Sequence, residues 1–110
     1  MSPSSTDILW TPRADRIAGA EVTRFQQWLE REKGLRFADY EALWQWSVDD
    51  LEVFWRAIVE YFELPLDDWN GPVLSDRRMP GAQWFVGART NYARQVFRHA
   101  TDARPAIVFR

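Results

Sequence analysis

Cysteine is absent from the 110 residues, and histidine and lysine occur once each. Without thiols there can be no disulfide staple and no thiolate metal site, and a reducing cytoplasm is the expected setting. Residues 1–7, Met-Ser-Pro-Ser-Ser-Thr-Asp, hold no basic run followed by an apolar core. They are therefore expected as a disordered tail and not as a signal peptide. No apolar run approaches the length that spans a bilayer, so no membrane association is expected. Neither Gly-x-x-x-x-Gly-Lys-Ser/Thr nor Gly-x-Gly-x-x-Gly occurs, and the single lysine is Lys33. A phosphate-cradling nucleotide site is not expected within these residues. The formal net charge of −2 supplies no positive field for a nucleic-acid partner.

Aromatic residues are plentiful instead, with seven Trp and seven Phe in a chain that is 46% apolar. This composition fits one globular domain or part of one, with aromatics furnishing either a small core or a binding surface. Thr11-Pro12 can open a helical turn. A longer helix is expected over 15–33, where Ala18, Val22, Phe25 and Leu29 recur at i, i+4, i+7 and i+11 and Gly34 provides a stop. A shorter helix lies within 37–46, with Asp39 as its cap and Tyr40, Leu43 and Trp44 on its apolar side, Trp46 being a further candidate for that side. Ser47 and Asp50 resemble a capping box for a third helix over 48–62. Leu51, Phe54, Trp55, Ile58, Tyr61 and Phe62 form its apolar stripe, and Glu52, Arg56 and Glu60 form a charge ladder opposite. This helix is the expected stability centre, with Trp55 in the core and Glu52 in solvent.

Residues 63–90 show no period and are punctuated by Pro65, Gly71, Pro72, Pro80, Gly81 and Gly87. Irregular segments this long usually lie along another surface or carry function. Asn91 can cap a fourth helix over 92–100, and the apolar run 106–109 reads as a buried strand. The expected fold is mostly α, with about four helices, a long irregular loop and one C-terminal strand.

Candidate chemistry is sparse. His99, near a helix end among Arg94, Arg98 and Asp102, reads as a surface residue and not a general base. Asp49-Asp50 sits in a helix first turn and Asp67-Asp68 in a loop, and neither pair supplies the converging oxygens of a hard-metal site. Arg77, Arg78, Arg89, Arg94 and Arg98 form a basic cluster that could meet a phosphate or an acidic partner, but it reads first as solvated surface or ion pairs to neighbouring acids. Trp44 and Trp46 point about 200° apart on a helix, so they cannot form one flat platform, and Trp44 is expected to face the core.

Certain motifs go further. "ILWTP", "IAGAEVTRFQQWL", "LWQWSVDDLEVFW", "VLSDRRMPGAQWFVGARTNYA" and "PAIVFR" follow one another in the order seen at the start of the acetoacetyl-CoA synthetases, and the chain resembles that family from residue 8 to 110. A wider circle including acetyl-CoA synthetase shares Trp-Phe-x-Gly-x-x-x-Asn, here Trp84 to Asn91. The resemblance implies an adenylate-forming enzyme. Mg-ATP activates acetoacetate to an acyl-adenylate with release of pyrophosphate, and the coenzyme A thiol then displaces AMP. It implies a tail over 1–7, a helical N-terminal domain over 8–104 and, over 105–110, the first strand of a larger α/β domain. The family's phosphate loop, adenine-binding stretch and catalytic lysine have no matching positions here, so it implies no catalytic, cofactor-binding or metal residue. ATP, Mg and coenzyme A belong to the parent enzyme, and this chain alone is expected to be inactive. Trp84, Phe85, Asn91 and Tyr92 are the expected docking residues against the rest of the parent, with Trp84 more exposed than Trp55. The rival expectation is a standalone small helical module that binds another protein.

Overall fold

A computed structural model describes residues 7–105 and 107–110. The expected tail therefore lies, Asp7 apart, outside the described residues. The chain divides into two units, Met1–Ala38 and Asp39–Arg110.

The first unit holds two helices where one was expected. α1 spans Ala14–Gly19, and α2 spans Glu21–Trp28 and widens into a π turn over Leu29–Lys33. The break falls at Ala20, which is extended at φ −70 and ψ 147. Gly19 is a poor helix former, and the Thr23 hydroxyl donates to the Ile17 carbonyl at 2.5 Å, offering the backbone an alternative to continued helix. Arg13, not Thr11, occupies the N-cap of α1, without a side-chain cap bond. Gly34 stops α2 as expected. It sits at φ 66, and the Leu35 N–H donates to the Leu29 carbonyl at 3.2 Å, the closure that a left-handed residue permits. Phe25 and Leu29, one turn apart, are buried, while Val22 is exposed.

The second unit begins with α3, Tyr40–Asp49, and α4, Leu51–Tyr61. Asp39 caps α3 as its sequence position indicates, its carboxylate accepting from the Ala42 N–H at 2.8 Å. Asp39→Ala is expected to cost about 0.5–2 kcal/mol, Asn in its place much less, as measured by urea unfolding. The capping box at Ser47 is not formed. Ser47 lies inside α3 and donates back to the Trp44 carbonyl at 2.6 Å, so α4 starts at Leu51 with Asp50 as an N-cap that makes no side-chain cap bond. Beyond α4, Leu64 to Gly71 wind through turns to a short antiparallel hairpin. β1 is Leu74–Asp76 and β2 is Gln83–Trp84, with Leu74 opposite Trp84 and Asp76 opposite Gln83. This hairpin leaves no mark in the residue pattern, because two- and three-residue strands are too short to show alternation. Asn91 caps α5, Tyr92–Phe97, accepting from the Arg94 N–H at 3.2 Å. Leu43, Ala57, Val73 and Leu74 are the buried apolar residues of this unit. The mostly α fold is as expected, and among the described residues five helices replace four because 15–33 is broken. Residues 107–110 form no strand, and Ala106 lies outside the described residues. A strand needs a neighbour to take its backbone donors and acceptors, and the neighbours expected for this one were those of a larger sheet.

Candidate docking surface

The Trp84-Phe85 pair splits at the end of β2. Phe85 adopts φ 45, an unusual conformation for a bulky residue, while its N–H donates to the Val73 carbonyl at 2.7 Å. The chain then turns, with the Ala88 N–H donating to the Phe85 carbonyl at 2.9 Å and Gly87 at φ 86. Only glycine holds that φ without strain. This reversal sends the two rings to different neighbours. Phe85 is half-buried and meets Trp69 edge-to-face at 5.1 Å, and the Arg56 guanidinium covers Trp69 at 5.0 Å. Trp84 stays at the surface against Trp55, ring centres 5.9 Å apart. Trp55 touches Phe54 at 5.2 Å, and Phe54 touches Trp46 at 5.6 Å, so an aromatic line runs from α3 across α4 to β2.

Two expectations are corrected here. Trp84 and Trp55 are equally exposed, at 41% and 40%, the two rings meeting edge-to-face at the surface. Trp44 and Trp46 do point apart, but Trp46 is the inward one and Trp44 is exposed.

The hairpin is anchored from below. Val73 and Leu74 are buried, and the Leu74 N–H donates to Glu52 Oε1 at 3.2 Å. Glu52 therefore belongs to the support of the ridge and not to a solvent ladder. Arg78 grips Asp76 with side-chain contacts of 2.7–3.1 Å and donates its own N–H at 3.0 Å. The Arg78 guanidinium, aided by that N–H, holds the Asp76 carboxyl below the usual carboxylate range.

Arginines also tie α5 to the end of α4. Arg94 donates to the Pro65 carbonyl at 3.2 Å and to Asp67 at 3.0 Å, and Arg98 donates to the carbonyls of Phe62 and Glu63. Asp67 and Arg89 pair through their backbones at 2.7 and 2.9 Å. The basic cluster is thus partly spent on the fold. Of the four expected docking residues, Trp84 and Tyr92 are exposed, the latter at 83%, while Phe85 packs inward and Asn91 serves as a cap. Trp55 and Trp69 are the partners that sequence reasoning missed. Their spacing on α4 and in the loop carries no signal of the contacts they make. His99 accepts from Arg98 at 3.3 Å, and Asp49 accepts from Gln45. Among the described residues no three His, Asp or Glu side chains converge as a metal site would require.

The family described as acetyl-coenzyme A synthetase N-terminus matches residues 40–96, which hold α3, α4, the hairpin and most of α5. The chain belongs to the acetyl-coenzyme A synthetase N-terminus family. Within the reach of that family, the acetoacetyl-CoA synthetase of Danio rerio is 31% identical over 102 residues, covering 91% of this chain and 15% of the relative. The acetoacetyl-coenzyme A synthetase of Rhizobium meliloti (strain 1021) is 30% identical, covering 93% of this chain and 16% of the relative. A solved structure, acetoacetyl-CoA synthetase from Streptomyces lividans, superposes with a TM-score of 0.75 at 48% identity, over 81% of this chain and 14% of that one. The resemblance carried by the sequence motifs is therefore upheld, and the chain spans about 15% of the length of these curated relatives. Among the described residues no helix is long and apolar enough to cross a membrane.

Proposed function

We propose that the chain is the N-terminal segment of an acetoacetate–CoA ligase, docked on the rest of the enzyme through the surface around Trp84 and Tyr92. Its parent activates acetoacetate with Mg-ATP and transfers it to coenzyme A in the cytoplasm. The observation that carries this reading is the 48% identity to the Streptomyces lividans synthetase over a segment that is 14% of that enzyme. The residues here do not fit ATP, Mg or coenzyme A. The carboxylates of Asp67 and Asp76 are already held by arginines. The single lysine lies over the Trp28 ring at 5.7 Å. The chemistry is assigned to the rest of the parent, and the segment's task is to complete and support that body.

Two measurements test this. The purified 110-residue protein is expected to release no pyrophosphate from ATP in the presence of acetoacetate, relative to a denatured control. A chimera carrying this chain in place of the matching segment of the Streptomyces lividans synthetase is expected to fold and form acetoacetyl-CoA. A folded but inactive chimera would count against the reading and favour a standalone interaction module.

A further inference from the structure

The charge of the second unit is divided along the chain. Residues 39–76 hold ten acids and one base, a net of −9, and residues 77–110 hold seven arginines and one acid, a net of +6 with His99 neutral. Three of those arginines are neutralised inside the unit, Arg78 by Asp76, Arg94 by Asp67 and Arg98 by Glu63. Arg77 and Arg89 are exposed and form no ion pair among the described residues. They flank the Trp84 ridge in sequence, Arg77 directly after β1 and Arg89 directly after the turn that follows Phe85. Between them stand Trp84 at 41% exposure and Val86 at 57%, with Trp55 against Trp84. Trp and Arg are enriched among the residues that carry binding energy at protein interfaces, and arginine on a rim selects a partner of opposite charge.

We propose that this ridge seats on the remainder of an acetoacetyl-CoA synthetase chain, in an apolar recess rimmed by carboxylates that Arg77 and Arg89 meet. The proposal rests on the reading of the chain as an N-terminal segment. The relatives supply an occupant of the right kind, since some 85% of their length lies outside the part this chain matches. The unneutralised arginines supply the charge that the seat must complement. A nucleic acid is the poorer fit, because the same unit carries a larger acidic excess.

The test uses the active chimera described above and follows its loss of activity on heating, at low and at high salt. Arg77→Glu with Arg89→Glu is expected to speed that loss several-fold at low salt, with the difference shrinking at high salt as the rim charges are screened. Trp84→Ala is expected to speed it at both salt concentrations, and Arg104→Glu is expected to leave it unchanged. Should the full exchange fail to fold, exchange of residues 40–97 alone carries the same ridge, Trp55 included, and is scored the same way. An active chimera indifferent to the double charge reversal overturns the acidic seat and leaves the N-terminal reading standing. A folded, inactive chimera overturns both. Two results with the isolated chain would also overturn the proposal. One is a dimer in sedimentation that the double reversal abolishes, and the other is retardation of a single-stranded RNA that depends on Arg77 and Arg89.

Discussion

Leu43→Ala is expected to lower the unfolding free energy by about 2–5 kcal/mol, the range for removing a buried leucine from a core that cannot fully collapse around the gap. Leu43 is 5% exposed and is the one buried side chain of α3. Small domains hold about 5–15 kcal/mol in total, so this loss is a large share of what is available. Trp55→Ala is the control that separates the structure from the sequence pattern. By helical spacing Trp55 belongs to the core, where truncation of an aromatic costs about 3–5 kcal/mol. At 40% exposure, with Trp84 and Phe54 as its ring neighbours, it has less to lose. Urea unfolding followed by circular dichroism is expected to show a clearly larger loss for Leu43→Ala. A larger loss for Trp55→Ala would mean that α4 presents a different face to the core.

The contrast shows which parts of this fold the sequence makes legible. Signals that act within one turn were readable. Asp39 and Asn91 accept from the N–H three residues on, and Gly34 adopts the left-handed conformation that ends α2. Features that depend on residues far apart in the chain were not. Nothing local says that Glu52 reaches Leu74, or that Trp55 meets Trp84. Ser47 shows the competition directly. Its hydroxyl suits a cap three residues before Asp50, yet it bonds backward to Trp44, and α3 continues to Asp49. The helix breaks at Ala20 for a related reason, since Thr23 takes a carbonyl that a continuous helix would have used. At the candidate surface, the motif around Trp84 and Phe85 was legible as an aromatic pair on a glycine-rich loop. The division of labour within it was not, because Phe85 turns inward only through its positive φ and the Val73 hydrogen bond.

Glu52→Ala is expected to cost about 1–3 kcal/mol, the penalty for leaving a buried backbone donor unpaired. Sequence spacing places Glu52 on a solvent-facing ladder, where such a change stays within about 0.5 kcal/mol. The structure instead directs its carboxylate to the N–H of Leu74, which is 6% exposed and 22 residues distant in the chain. Leu74 lies opposite Trp84 in the hairpin, so this bond ties the aromatic ridge to α4. Glu52→Gln keeps an acceptor at the same reach and is expected to retain most of the stability. Two readouts decide the matter together, urea unfolding for the global cost and amide exchange at Leu74 for the local one. The Ala variant should show both a lower unfolding free energy and faster exchange at Leu74, and the Gln variant little of either. Equal behaviour of the two variants would show that the hydrogen bond does not hold the hairpin. In the chimera the same Ala substitution should weaken docking through the ridge without touching any residue on it, because a Trp84 carried on a looser hairpin must be ordered again before it can seat.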